Sequence, residues 1–452
     1  MTSGNLFWKL ILFALPAMLT TAMQLLYVTI DLTTVHYGDS AESMGAIASN
    51  SALINLIVTV FVGISLGANV ILSEAKGAGN IEKASKVLHT SLVFSLFVGI
   101  AVGLLGFFIS DNLLVMMGTE EHYLAKATLY LKIYFLGLPF LMVYNYCAQL
   151  LRAQGDSRTP FLALFISGLL NVGFDCLFVF PLQMGVAGVG FATIIAEAIS
   201  AFICFLVLHR GKHNYVSFSF KKIKTEWSFP VLWEVIRVGL PAGLQGFFFS
   251  LPNVFIQASL YTIDPGNVNL ENGANGASNI EGYFYAVVEA IATSTMTFIA
   301  ANVGAKKKEN IPKCILYGAI WGIALCGLLI IILLFAHNQL LSLFVDSEEA
   351  VEAGWNRLSV TGLYYIFDFT MIFTAGILRG FKRSTYPMIT TLMCCTVLRI
   401  VLLYTVFPLE QFHTVYYLYA VMPLTWIVAT LSNIVTIIIF LPKDMKRIEK
   451  AS

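Results

Sequence analysis

The sequence predicts an all-α membrane protein with twelve transmembrane helices in two parallel-repeat six-helix lobes. Three observations carry this prediction. The 452-residue chain is 58% hydrophobic and only 12% charged, with a mean hydropathy of +0.79; that is about half the charge of a soluble domain. Its apolar residues fall into blocks of about 20, the length that crosses about 30 Å of hydrocarbon as a helix. The polar breaks between blocks alternate between basic and nearly free of Lys and Arg. The blocks do not show the residue-by-residue alternation of a membrane β-barrel.

Span 1 (8–35) continues past Lys9 as a full-length block without a small-residue cleavage site, so it reads as a retained helix and not a signal peptide. Spans 2 (46–72) and 3 (87–109) flank Lys76, Lys83 and Lys86; spans 4 (125–150) and 5 (161–181) flank Arg152 and Arg158. Span 6 (186–208) opens on GVAGVG at Gly185–Gly190; no strand precedes it, so it reads as a tight turn with close packing, not a phosphate loop. A basic stretch at 209–230 forms a cytoplasmic linker with room for a short surface helix. Span 7 (231–261) contains Pro252, which removes a backbone hydrogen bond and predicts a kink. Spans 8 (279–302) and 9 (314–336) flank Lys306, Lys307, Lys308 and Lys313, and spans 10 (356–378) and 11 (388–407) flank Arg379, Lys382 and Arg383. Span 12 (415–441) leads into a tail with Lys443, Lys446, Arg447 and Lys450.

The remaining breaks (36–45, 110–125, 182–185, 262–278, 337–355 and 408–414) carry almost no Lys or Arg. Of the 27 such residues, Lys126, Lys132 and Arg357 lie on or near this second side and Arg399 lies inside a span. The asymmetry predicts cytoplasmic termini, and the helix lengths with no targeting segment predict a bacterial inner (plasma) membrane location.

The halves repeat one another. Leu151-Arg152 with Pro160 returns as Leu378-Arg379 with Pro387 at an offset of 227, as does Gly77-Ala78 in Gly304-Ala305; Leu15-Pro16-Ala17 returns as Leu240-Pro241-Ala242 at 225. Six spans per half keep both halves in one orientation. The predicted organisation is therefore an N-terminal lobe (1–208), the linker (209–230) and a C-terminal lobe (231–452), with a substrate site between parallel repeats.

An ionisable group inside the membrane costs about 2.5–3.5 kcal/mol on insertion scales and asks for a reason. Span 1 carries Asp31. Span 5 carries Asn171 and Asp175, four apart on one face, and span 6 carries Thr193. Two carboxylates with amide and hydroxyl oxygens suit Na⁺. With one carboxylate protonated they suit proton exchange equally. Competing readings are that Asp31 faces water at the outer end of its helix and that Asn171 and Asp175 are a helix-packing pair. The second half holds Asp368, Glu281, Glu289 and Arg399 as a possible further site, with the carboxylates as candidate partners for the arginine; a structural ion pair is an equal reading. Leu398 and Leu402 stand at the repeat equivalents of Asn171 and Asp175. Phe247–Phe249, Tyr283–Tyr285, Tyr364, Tyr365 and Phe367 either line a cavity for flat cations or pack helices.

A net charge of +1 gives no bias toward nucleic acid, and the seven cysteines lie in or beside apolar blocks without metal spacing. No Walker A or HExxH pattern and no nucleophile–base grouping occurs, so the chain is not expected to be an enzyme or to need a cofactor beyond a coupling ion.

Several runs together resemble the multidrug and toxic compound extrusion (MATE) family along essentially the whole chain. They are Asp31 ahead of GAIASNSALINLI, SEAKGAGNIEKASK after span 2, LLRAQGDSRTPF after span 4, and NVGFDCLFVFPLQMGVAGVGFATIIAE over spans 5 and 6. GLPAGLQGFFFSLPNVFIQ in span 7 and GILRGFKRSTYP after span 10 complete the set. The resemblance implies a V-shaped pair of six-helix lobes and export of small organic, cationic and amphipathic compounds by a monomer in exchange for Na⁺ or H⁺. It also implies a cation site at Asp31, Asn171, Asp175 and Thr193. Asp368, eleven residues before Arg379, matches a C-lobe position of one branch, but the span-7 carboxylate of that branch is replaced by Phe247–Ser250. A lipid-linked oligosaccharide flippase of the same superfamily is the alternative reading; it calls for a basic cavity, and Arg399 is the one basic residue deep in a span.

Overall fold

The computed structural model describes residues 1–119, 121–211 and 214–451; linker residues 212 and 213 lie outside the described residues. Twelve long helices realise the twelve spans, and no strand occurs among the described residues. Spans 1 to 6 are Leu6–Gly38, Ala41–Gly77, Ile81–Met116, Glu121–Ala153, Arg158–Val179 and Gly185–Arg210. Span 7 is Phe229–Ile263, span 8 Val268–Gly304 and span 9 Asn310–Leu341. Span 10 runs Glu348–Gly380 and span 11 Thr385–Thr405, and span 12 is Val415–Ala451. All but span 7 are apolar enough by composition alone to cross a membrane. Span 7 has the length, at 35 residues, but Gln245, Ser250, Asn253 and Gln257 thin its apolar run.

The helices extend beyond the hydropathic blocks because side chains cap them in the polar breaks. Asn267 accepts from Leu270 N at 3.1 Å, so span 8 begins about three turns ahead of its apolar block. Ser347 accepts from Ala350 N at 3.2 Å and starts span 10 inside the 337–355 break. Ser40 and Asn80 cap spans 2 and 3 in the same way.

Irregularity falls elsewhere than Pro252, across which span 7 stays one helix. Span 10 tightens into a 3₁₀ turn at Gly362–Tyr364, and span 11 widens into a π-helix at Thr391–Val397. The glycines of GVAGVG serve the expected turn and packing. Gly185 has φ +54°, and a Cβ on Gly190 would meet Ile133 at 2.7 Å. Large apolar side chains such as Phe97, Phe108 and Phe335 are more than 70% exposed, the surface a lipid solvent covers.

Compactness divides the chain into two units, Leu19–Leu240 and Met1–Met18 with Pro241–Ser452. The repeat boundaries at 208 and 231 thus differ from the packing boundaries, which fall within spans 1 and 7 beside the repeated Leu-Pro-Ala. The start of span 1 is fixed in the second unit. Trp321 Nε1 donates to Phe7 O at 3.0 Å, and the Phe7 ring lies 4.9 Å from that of Trp321. The linker is tied into the first unit by side-chain acceptors. Gln154 Oε1 takes Val216 N at 2.9 Å, His89 Nε2 takes Ser219 N at 3.0 Å, and Thr90 Oγ1 takes Ser228 N at 3.1 Å.

Candidate functional site

Span 5 buries one stripe, Gly168, Asn171, Asp175 and Val179, at helical spacing, while Leu169, Leu170 and Leu177 face outward. Span 1 lies along this stripe. A Cβ on Gly168 would fall 1.8 Å from the Tyr27 ring, and one on Gly38 would fall 2.3 Å from Val179. Two close approaches, one below and one above, set Asp31 opposite Asn171 and Asp175.

Asp31 is 9% exposed, Asn171 4% and Asp175 0%. The Asp31 carboxyl faces the Asp175 carboxyl and stands near the Thr193 hydroxyl. Two ionised carboxylates have no hydrogen to share, so that contact becomes a bond when one carries a proton or when a cation bridges them. Asp31 Oδ1, both Asp175 oxygens and Asn171 Nδ2 are buried without a hydrogen-bond partner, a costly condition in a low-dielectric interior. Thr193 donates to Val189 O at 2.9 Å, which leaves its oxygen lone pairs for a cation. The four predicted residues are therefore brought together, and the orphaned oxygens of Asp31 and Asp175 fit a small monovalent cation. Asp31 belongs to this buried group; a solvated end position does not describe it.

The second unit treats its ionisable residues differently. Glu281 is held by Arg357, with Nε to Oε1 at 3.1 Å and Nη2 to Oε2 at 2.6 Å, and it accepts from Thr361 Oγ1 at 2.6 Å. Its basic partner is thus Arg357, because residues 348–361 form a helix that carries this arginine inward. Arg399 is fully buried and donates to Thr425 Oγ1 from Nη2 at 2.9 Å and to Asn253 Oδ1 at 3.5 Å. Asp368, 1% exposed, interacts electrostatically with Glu281, Arg399 and Glu289, in that order, and its Oδ1 has no hydrogen-bond partner. Glu289 is half-buried and accepts from Thr293 Oγ1 at 3.0 Å. Within the set Asp368, Glu281, Glu289 and Arg399, Glu281 is ion-paired to Arg357 and Glu289 is bonded locally to Thr293, while Asp368 interacts electrostatically with the other three without a direct ion pair among the described residues. Part of the aromatic set packs a core: Phe284 meets Tyr365 at 4.7 Å and Tyr365 meets Trp426 at 5.6 Å.

Sequence reasoning passed over Glu197, Tyr130 and Tyr134. Glu197 follows Thr193 by four residues on span 6 and is electrostatically coupled to Asp31 and to both tyrosines. A Cβ on Gly137 of span 4 would lie 3.2 Å from Glu197 Oε2. The available signal was the i, i+4 spacing from Thr193 inside an apolar block.

Comparison with known proteins places these features in context. The family model MatE matches residues 16–177 and 272–405. The chain is 27% identical over 398 residues, 88% of each chain, to a Bacillus subtilis protein named probable multidrug resistance protein YpnP. It is 26% identical over 320 residues, 69% of this chain and 68% of the other, to a Shewanella oneidensis protein named FAD transporter. Among solved structures, a MATE protein crystallised in complex with MaL6 superposes with a TM-score of 0.90 at 20% identity, covering 98% of each chain.

Proposed function

The chain belongs to the MatE family, as a multi-pass integral membrane protein, and from that membership we propose that it is a secondary antiporter exporting organic compounds in exchange for Na⁺ or H⁺. One observation carries the ion-coupling part: a buried pair of carboxylates, Asp31 and Asp175, of which Asp31 Oδ1 and both Asp175 oxygens have no hydrogen-bond partner while Asn171 and Thr193 stand beside them. Empty and ionised, the pair repels across the interface of spans 1 and 5. A bound cation or proton removes the repulsion and lets the two helices close on one another. Occupancy thereby selects between two packings of spans 1, 5 and 6, and substrate release follows from that selection.

The proposed cargo is cationic and amphipathic. Asp31, Asp175 and Glu197 form no ion pair with Lys, Arg or His among the described residues, so the interior of the first unit favours positive charge. The same acidity disfavours an anionic cargo and the pyrophosphate of a lipid-linked oligosaccharide. In the proposal the protein works as a monomer in the plasma membrane, with cytoplasmic termini and no cofactor beyond the coupling ion.

The test is ethidium efflux from cells and inside-out vesicles, with Na⁺ and pH gradients imposed separately. Wild type should export the dye under one gradient, and Asp31→Asn and Asp175→Asn should insert normally yet show no gradient-driven export. Wild-type efflux rates in either variant would refute the coupling role.

A further inference from the structure

The second unit contains a pocket of about 70 Å³, several times the space that one water needs. Spans 7, 8, 10 and 12 share its wall. Its rim is polar: Asn253, Gln257 and Ser278 line it and are exposed. Its deeper polar groups are Tyr419, 1% exposed, and Arg357, whose side chain is 12% exposed. The remaining lining is apolar, and among the described residues no Asp or Glu lines it. An accessible cavity with a few convergent polar groups is the usual form of a small-ligand site.

The wall offers hydrogen-bond donors backed by guanidinium groups. Arg357 donates from Nε and Nη2 to Glu281 and from Nη1 to Ala274 O at 3.3 Å; each terminal nitrogen keeps a further N–H. Glu281 lies outside the lining, so the pocket meets the guanidinium and not its counter-ion. Arg399 stands behind Asn253 and donates from Nη1 to its Oδ1 at 3.5 Å. With that oxygen engaged, the amide nitrogen of Asn253 is left as a donor. Arg399 has no direct ion pair among the described residues: its bonds go to the neutral oxygens of Thr425 and Asn253, and Asp368 acts on it at longer range. A buried guanidinium without a contacting carboxylate favours negative charge nearby.

Tyr419 gives an independent sign of a ligand. Its hydroxyl is buried without a hydrogen-bond partner, a costly state that a bound acceptor relieves. The Arg357 guanidinium lies 5.5 Å from the centroid of its ring, so the two belong to one wall.

We propose that this pocket binds a small monovalent anion, a halide or the carboxylate of a small solute, between the Arg357 guanidinium and the Asn253 amide, with the Tyr419 hydroxyl as its buried donor. The inference goes beyond the antiport reading and does not depend on it. Binding is read without a gradient, so either can fail alone.

Full-length protein in detergent micelles is titrated with chloride and read by ³⁵Cl NMR, in which chloride exchanging through a protein site broadens the line. Wild type should show broadening that saturates and that acetate suppresses at constant ionic strength. Tyr419→Phe removes a hydroxyl that the fold leaves unbonded and keeps the net charge. It should unfold at the wild-type temperature yet need about tenfold more chloride for half-saturation, the loss of one hydrogen bond to a charged group. Asn253→Asp puts a carboxylate in the mouth against Arg399 and should abolish the saturable part. Broadening without saturation, the same in all three proteins, would report basic surface residues only and overturn the proposal. Wild-type half-saturation in Tyr419→Phe overturns it too. So does saturable broadening that acetate leaves unchanged, because donors of this kind recognise the charge and not the halide.

Discussion

Glu281 and Arg357 show what a satisfied buried charge looks like in this protein: two N–H···O contacts and a threonine hydroxyl on one carboxylate. Removing one partner leaves the other buried and unpaired, at a cost of about 3–5 kcal/mol. Glu281→Ala should therefore lower the unfolding temperature in detergent sharply, and Glu281→Ala combined with Arg357→Met should recover much of it. A Glu281→Ala protein as stable as wild type would contradict the pairing. Asp31 and Asp175 should respond in the opposite sense. They lack such partners, so Asp175→Asn should be neutral or stabilising while it abolishes gradient-driven efflux, a split readable in one preparation by thermal unfolding beside ethidium transport. At this scale Asp31, Asn171 and Asp175 stand out because each breaks an apolar run on a helix face, whereas Thr193, a residue common in such helices, is singled out by the family resemblance. The partner of Glu281 was not legible, because Arg357 stands at the outer end of the span-10 block and only the helix of 348–361 turns it inward.

Helix existence was readable for the same reason of block length, whereas the fit of one helix on another was not. The register of span 1 on span 5 depends on Gly168 accommodating the Tyr27 ring at a distance no Cβ tolerates. Gly168→Ala should push span 1 away from span 5, at about 1–3 kcal/mol of overpacking, and carry Asp31 out of reach of Asp175. The expected result is a loss of ion-driven efflux, with recovery in the Tyr27→Ala, Gly168→Ala double variant. Failure of the double variant to recover would show that the glycine serves something other than this contact. The π-helical turn of span 11 is a second feature invisible to hydropathy. It inserts an extra residue ahead of Arg399 and aims that side chain at Thr425 and Asn253. Deleting Cys394 should restore α-helical winding, alter how Arg399 meets Thr425 and Asn253, and destabilise the second unit. A deletion variant that unfolds at the wild-type temperature would rule out that role.

For the whole molecule, the sequence repeat and the packing units answer different questions. Offsets of 227 and 225 residues record how the chain duplicates, while compactness records which segments share a core, and it moves Met1–Met18 to the company of Pro241–Ser452. Sequence similarity between halves carries no information on where a long helix changes neighbours, so the repeat was legible and the change of neighbours within spans 1 and 7 was not. Orientation, by contrast, rests on charge bias alone and is open to a direct test. Basic residues at membrane ends stay on the cytoplasmic side because moving them across is costly. The bias of the linker and tail therefore predicts that Thr225 is cytoplasmic and Glu410, in the Lys- and Arg-free break before span 12, external. Both are exposed. Cys176 is the exposed native cysteine among the seven and is replaced by alanine in the background used. An impermeant maleimide added to intact cells should then label Glu410→Cys and leave Thr225→Cys unlabelled until the cells are opened. The reverse pattern would invert the assignment of every loop and put the coupling ion's entry on the other face; labelling of both in intact cells would mean that the number of crossings between 225 and 410 is even in place of odd or that orientation is mixed. An even number is expected to keep two sites on one side, and the six crossings of spans 7–12 place the tail with the linker, whereas Glu410 precedes the last crossing and so must emerge opposite Thr225.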